Sequence, residues 1–274
     1  LMSYQIFDED VKRAISPAIA IEHFHNFTLL HDDIMDNAPI RRGSPTVHKK
    51  WNSNIAILSG DVMMIQAYQL LSDVDSNILK EVLDIFSKTA IQVCEGQQWD
   101  MDFEMQKNVN LVDYMKMIEY KTAVLMAASL QIGAITAGAS NKDQAHIYEF
   151  GLKMGIAFQI KDDLLDVFGN SEAFGKQVGG DIMENKKTFL YLKALQLADD
   201  STKEQLEFYY MNNDKSKSKV NAVKSIFTKL NIQSHTIDIM KMHYTKAIEH
   251  LDAIRSKNKA PLIGFADKLM ERIS

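Results

Sequence analysis

Apolar residues recur every three to four positions through most of the chain, the spacing of helices that bury one face. The pattern predicts helices over 15–35, 54–72, 77–103, 111–139, 143–168, 186–198, 202–211, 218–231 and 234–255, with a short last one near 261–273. Alternation of the kind that marks strands is nowhere sustained. The breaks agree with this division. Asn37-Ala38-Pro39 ends one helix, Gly43-Ser44-Pro45 keeps the next stretch irregular, and the run from Gly169 to Gly180 supplies a flexible connection. The polar run from Asn212 to Lys219 reads as an exposed loop, because nothing in it offsets the entropy of ordering. Leu1 to Tyr4 falls on what looks like an apolar helical face.

Composition sharpens the helical reading: 12 Gly and 4 Pro in 274 residues, with 15 Met, leave few breaks for a sheet. No linker separates the segments, so residues 1–274 are expected to form a single domain. A formal net charge of -5 gives no global basic field, which argues against nucleic acid as a partner. The single Cys94 rules out an intramolecular disulfide and a cysteine metal cage, and suits a reducing cytoplasm. No apolar run reaches the ~18 residues a membrane span requires.

One pattern occurs twice. His31-Asp32-Asp33-Ile34-Met35-Asp36 ends one apolar helix and Lys161-Asp162-Asp163-Leu164-Leu165-Asp166 ends another. In each, the first and last aspartates lie four apart, one helical turn on the same face, where like charges repel. A polyvalent cation resolves the conflict, and oxygen-only ligands select a hard ion such as magnesium bridging carboxylates to phosphates. Either motif alone could be solvated surface, but two copies point to a shared diphosphate. Basic residues follow each: Arg41 and Arg42 after the first, Lys176, Lys186 and Lys187 with Asp181 after the second. Guanidinium forks suit phosphate oxygens. Between the motifs, Lys121-Thr122 interrupts an otherwise apolar helix, and Gln97 and Asp100 lie three apart on one face.

Asp32-Asp33-Ile34-Met35-Asp36 followed by Arg41-Arg42-Gly43, and Phe158 to Asp166 followed by Gly175-Lys176, Gly180-Asp181 and Lys186, resemble the motifs of the trans-isoprenyl diphosphate synthase family over essentially the whole chain. The family includes farnesyl and geranylgeranyl diphosphate synthases. The resemblance implies an all-α bundle of about ten helices around a central cavity, with the aspartate motifs facing across its mouth, and a homodimer. It implies three magnesium ions, two held by Asp32, Asp36 and Asp100 and one by Asp162 with Asp166 and Asp181, while Asp33 and Asp163 complete the motifs. Arg41, Lys121, Lys176 and Lys186 would bind the allylic diphosphate (dimethylallyl, geranyl or farnesyl). Thr122 and Gln159 would stabilise the developing carbocation, and His25 and Arg42 would bind isopentenyl diphosphate. The family's Gly-Gly-Lys-x-Arg segment is expected upstream of Leu1, together with further N-terminal helices.

Product length, by the same resemblance, depends on the residues before the first motif. An aromatic five positions before Asp32, here Phe27, floors the elongation tunnel, and a small residue at the fourth position, here Thr28, leaves it open. Phe24 and Met63 or Met64 are candidates for a second floor. This arrangement favours a C20 product, with C15 the alternative. A class I terpene cyclase fits less well, because its second motif usually carries Asn, Ser and Glu. A non-catalytic subunit of a heteromeric synthase fits less well too, because both motifs are intact.

Overall fold

In a computed structural model, described here for residues 1–106, 108–169, 179–212, 214–256 and 258–271, the chain is almost wholly helical. A 3-10 turn at Tyr4–Ile6 precedes α1 (Lys12–Met35), a short hairpin of β1 (Ile40–Arg41) and β2 (Ser44–Pro45), α2 (Val47–Lys50), α3 (Ser53–Leu71) and α4 (Ser76–Met105). Then come α5 (Leu111–Ile118), a π-helical turn (Glu119–Ala123), α6 (Val124–Thr136) and α7 (Asn141–Phe168). The chain continues through α8 (Gly180–Met183), α9 (Phe189–Leu197), α10 (Asp200–Met211), α11 (Lys217–Lys229), α12 (Ile232–Ala253) and α13 (Ala260–Glu271). The described residues divide into two compact units. One comprises 1–90, 127–148 and 253–262, the other 91–126, 149–252 and 263–274.

The long helices lie within a few residues of the positions that periodicity predicts, and local chemistry sets several of their starts. The Asn52, Asn110, Asp199 and Ser216 side chains each accept from a backbone N–H three residues on, at 2.9, 3.0, 2.8 and 3.3 Å. Such a cap stabilises a helix by ~1 kcal/mol. Pro17 is accommodated in α1, close to its start.

In the first unit α1 packs along α3, and Ala20 of α1 and Ala56 and Ala67 of α3 are fully buried. Deeper in, Phe24 meets Phe86 edge-on at 5.2 Å, and Phe86 meets Tyr68 at 5.0 Å. The N-terminal residues do not extend a helix. Tyr4 is buried in the 3-10 turn, and Ser256 Oγ and Asn258 Nδ2 donate to the carbonyls of Ile6 and Gln5 at 2.6 and 2.8 Å.

In the second unit Phe150, Met154, Ile160, Leu164, Phe189, Leu190 and Phe227 form the core. The run read as an exposed loop departs from expectation at its end, where α11 begins and Lys219 is 1% exposed. Its stem is covered, and its ammonium reaches Asn185 Oδ1, the Asn212 carbonyl and the face of Tyr210. Those partners meet the hydrogen-bonding needs of a buried charge that the polar run did not reveal.

Candidate active site

In the first unit, α1 delivers Asp32 and Asp33 at its last turn, and the hairpin returns Arg41 to them. Arg41 Nε donates to Asp33 Oδ1 at 2.7 Å, and a terminal guanidinium nitrogen donates to Asp32 Oδ2 at 3.1 Å. The loop of the hairpin is Arg42-Gly43, both at positive φ (52° and 78°), the two-residue geometry that joins twisted antiparallel strands. Thr46 closes its base by donating from Oγ1 to the Ala38 carbonyl at 2.7 Å. Arg42 is thereby exposed at the tip. Asp33 is buried while Asp36 is exposed, so the motif presents one aspartate inward and one to solvent.

Below the motif, Phe27 lies between the His31 ring, at 4.7 Å, and Phe24, at 5.7 Å. Gly60 of α3 faces both: a Cβ there would stand 2.6 Å from His31 Nε2 and 3.3 Å from a Phe27 ring carbon. Phe24 is fully buried. Thr28 Oγ1 donates to the His25 carbonyl at 2.8 Å, and His25 itself is partly exposed, 3.9 Å from Glu22.

In the second unit the π-helical turn carries Lys121 and Thr122. Val124 N–H reaches back five residues to the Glu119 carbonyl, opening the helix by one residue. Glycines on the flanking helices make room. A Cβ on Gly96 of α4 would lie 2.3 Å from Lys121 N, and one on Gly155 of α7 would lie 2.6 Å from Ala123 Cα. Trp99 stacks on Tyr120 at 5.0 Å. Held in this way, Lys121 Nζ donates to Asp100 Oδ2 at 2.5 Å, and Thr122 Oγ1 donates to Gln159 Oε1 at 3.1 Å.

These residues line a cavity of about 110 Å³ together with Tyr114, Asp163, Asp181, Lys186, Lys187 and Thr188. Asp163 is the buried aspartate of the second motif and accepts from Gln159 Nε2 at 3.3 Å, from Phe189 N–H at 3.3 Å and from the Tyr114 hydroxyl. Burial, and next the charge of Asp181, raise the proton affinity of its carboxyl, while those three donors pull the other way and favour the ionised, accepting form. A cation bound by Asp181 would remove the second of these causes. Asp166 Oδ2 accepts from Asp181 N–H at 3.1 Å, tying the start of α8 to the end of α7. Lys187 donates to the Phe103 carbonyl at 2.5 Å, and burial lowers its pKa. Asp162 and Asp166 are partly exposed near the end of α7, and Lys176 lies outside the described residues. Among the described residues no three His, Cys, Asp or Glu side chains are already drawn together as a metal cage. Acidic oxygens that raise one another's proton affinity nevertheless suit a hard divalent ion that arrives with its own water or phosphate ligands.

Tyr114 is the site residue that periodicity conceals, because it reads as one more apolar position on α5. Its distance from Lys121, two helical turns, was the available signal.

A family model described as polyprenyl synthetase matches residues 1–227. The geranylgeranyl diphosphate synthase of Sulfolobus acidocaldarius is 38% identical over 264 residues, which cover 95% of this chain and 80% of that one. A crystal structure of a geranylgeranyl pyrophosphate synthase superposes with a TM-score of 0.94 at 43% identity, covering 100% of this chain and 86% of the other. Another, from Corynebacterium glutamicum and complexed with isoprenyl diphosphate and magnesium, gives a TM-score of 0.87 at 26% identity, covering 97% and 81%. With two aspartate motifs, a basic hairpin and a lysine-bearing π-turn in an all-helical fold, the chain belongs to the polyprenyl synthetase family and is a trans-prenyltransferase.

Proposed function

We propose that the enzyme condenses isopentenyl diphosphate with dimethylallyl, geranyl and farnesyl diphosphates to make geranylgeranyl diphosphate, a C20 product. The observation that carries the reading is the cavity where Lys121 and Lys186 stand with Asp100, Asp163 and Asp181 beside the Thr122 hydroxyl and the Gln159 amide. Cations and acids suit a diphosphate, and a hydroxyl and an amide oxygen suit the carbon it leaves. The names of the similar synthases and the small Thr28 above Phe27 support C20 over C15.

Asp32, Asp36 and Asp100, and Asp162, Asp166 and Asp181, would hold magnesium, which when bound supplies positive charge to offset that of the departing diphosphate. Arg41, Lys121 and Lys186 bind the allylic diphosphate oxygens and orient the carbon–oxygen bond for cleavage. The Thr122 and Gln159 oxygens face the carbon as positive charge develops there. Arg42 and His25 hold isopentenyl diphosphate so that its double bond attacks that carbon. A proton then leaves the new chain to the released diphosphate, so no side-chain base is required.

The enzyme is proposed to act as a homodimer. Ile55, Leu58, Val62 and Ile65 form a row along α3, each between 43% and 64% exposed, at the three-and-four spacing of a helix seam. No helix among the described residues is long and apolar enough to cross a membrane. Incubation with isopentenyl diphosphate, each allylic primer and magnesium, followed by sizing of the dephosphorylated products, tests the reaction. A C15 end product would replace the C20 assignment, and a cyclic hydrocarbon would overturn the reaction class. Light scattering of the eluted protein tests the dimer.

A further inference from the structure

We propose that Tyr114 and Asp163 are a positioning pair that sets which end of the Gln159 amide faces the reacting carbon. The inference rests on the functional reading above, in which Gln159 stabilises developing positive charge. An amide has a donating and an accepting end of nearly equal shape, so its direction is set by its partners. Only the oxygen end opposes positive charge favourably. Turned round, the NH2 group would present partial positive charge to the same carbon.

The structure carries the partners that decide between the two. Gln159 Nε2 donates to Asp163 Oδ1 at 3.3 Å, while Oε1 accepts from Thr122 Oγ1 at 3.1 Å. The choice is therefore made by Asp163 accepting at Oδ1. The other oxygen, Oδ2, receives the Tyr114 hydroxyl and the Phe189 N–H. These two donors come from α5 and the start of α9, and they fix the carboxyl plane that aims Oδ1 at the amide. Tyr114 is 3% and Asp163 4% exposed, so water is poorly placed to replace either partner. Neither needs to touch substrate. Both act through Gln159.

The test is a kinetic cycle on the full-length protein. Tyr114→Phe keeps the ring and removes the hydroxyl, so kcat is expected to fall about tenfold with the KM of both substrates within about twofold. In a Gln159→Leu background the same change should alter kcat by less than about twofold, because the residue it acts through is gone. A merely structural Tyr114 would give multiplicative losses, and that result would overturn the proposal.

A second arm uses an inversion. In Asp163→Asn the carbonyl oxygen takes the Tyr114 and Phe189 donors, which leaves the NH2 group aimed at Gln159 and forces its amide to turn. The expected loss exceeds that of Tyr114→Phe. Adding Gln159→Glu restores an acceptor opposite that NH2 and a carboxylate oxygen toward Thr122, so Asp163→Asn/Gln159→Glu should recover at least about tenfold over Asp163→Asn. Absence of recovery, with the double variant folded by circular dichroism, would overturn the proposal. If the unmodified enzyme makes no prenyl diphosphate, the functional reading fails and takes this inference with it. Full activity with multiplicative losses would overturn the inference alone.

Discussion

Lys121 donates to Asp100 across 2.5 Å, from the π-turn to α4. Both side chains are about a quarter exposed, so the pair adds little to folding. Its weight falls on the reaction. Lys121→Ala should leave the melting temperature within a few degrees yet lower kcat/KM for the allylic diphosphate by about a hundredfold or more. Asp100→Asn should raise the magnesium concentration for half-maximal activity. A magnesium titration identical to that of the wild type would remove Asp100 from the metal ligands.

Replacing Asp32 or Asp162 by Ala should abolish turnover, by about a thousandfold or more, with an unchanged circular dichroism spectrum. EDTA should abolish activity and magnesium restore it better than zinc. Near-normal rates in either variant would sink the cation model.

Gly96→Ala should destabilise the protein by ~2–3 kcal/mol, since the new Cβ would meet main chain at 2.3 Å and backbone yields less readily than a side-chain tip. Gly264→Ala, with nothing within 4 Å, is the control and should be neutral or slightly stabilising. Urea unfolding of the two variants decides. Equal midpoints would mean that the α4 contact with the π-turn is slack.

Phe27→Ala should lengthen the product by one isoprene unit and then stop, because fully buried Phe24 lies next and rests on Phe86. Removing Phe24 as well should allow longer chains at a cost of ~3–5 kcal/mol. Chromatography of the products checks both, and an unaltered distribution from Phe27→Ala would place the floor elsewhere.

His243 is buried, Lys153 and Lys246 add repulsion, and its pKa falls from 6.5 to about 4. Its Nδ1 finds no hydrogen-bond partner among the described residues. The fold favours the neutral ring over the protonated one. Stability is therefore intact above pH 6.5 and declines as pH falls toward 4, by at most ~3 kcal/mol from this group. His243→Gln should flatten that part of the curve. Parallel curves from urea unfolding at pH 7 and 4.5 would assign the acid sensitivity to other groups.

The helices and both aspartate motifs were legible in the sequence because periodicity and charge spacing are local properties. What escaped depended on partners distant in sequence. Glu119 to Ala123 has ordinary helical propensity, and the π-turn goes with space left by Gly96 and Gly155 on other helices. The hairpin escaped because Arg42-Gly43 is a weaker turn signal than Asn-Gly, and a non-glycine residue at φ 52° is uncommon. Tyr114 passed as core until Asp163, 49 residues away, was seen to accept its hydroxyl.

The π-turn also makes the length of this segment a functional quantity. A helix advances about 100° per residue, so one extra residue within a turn re-phases everything on one side of it. Deleting a single residue between Glu119 and Ala123 could close the ladder into regular α-helix while swinging Lys121 or Thr122 off the cavity wall. The change in frame, more than any change in side-chain chemistry, would silence the enzyme. Among diverged copies of this chain, a one-residue gap here would mark loss of the reaction even where both aspartate motifs survive.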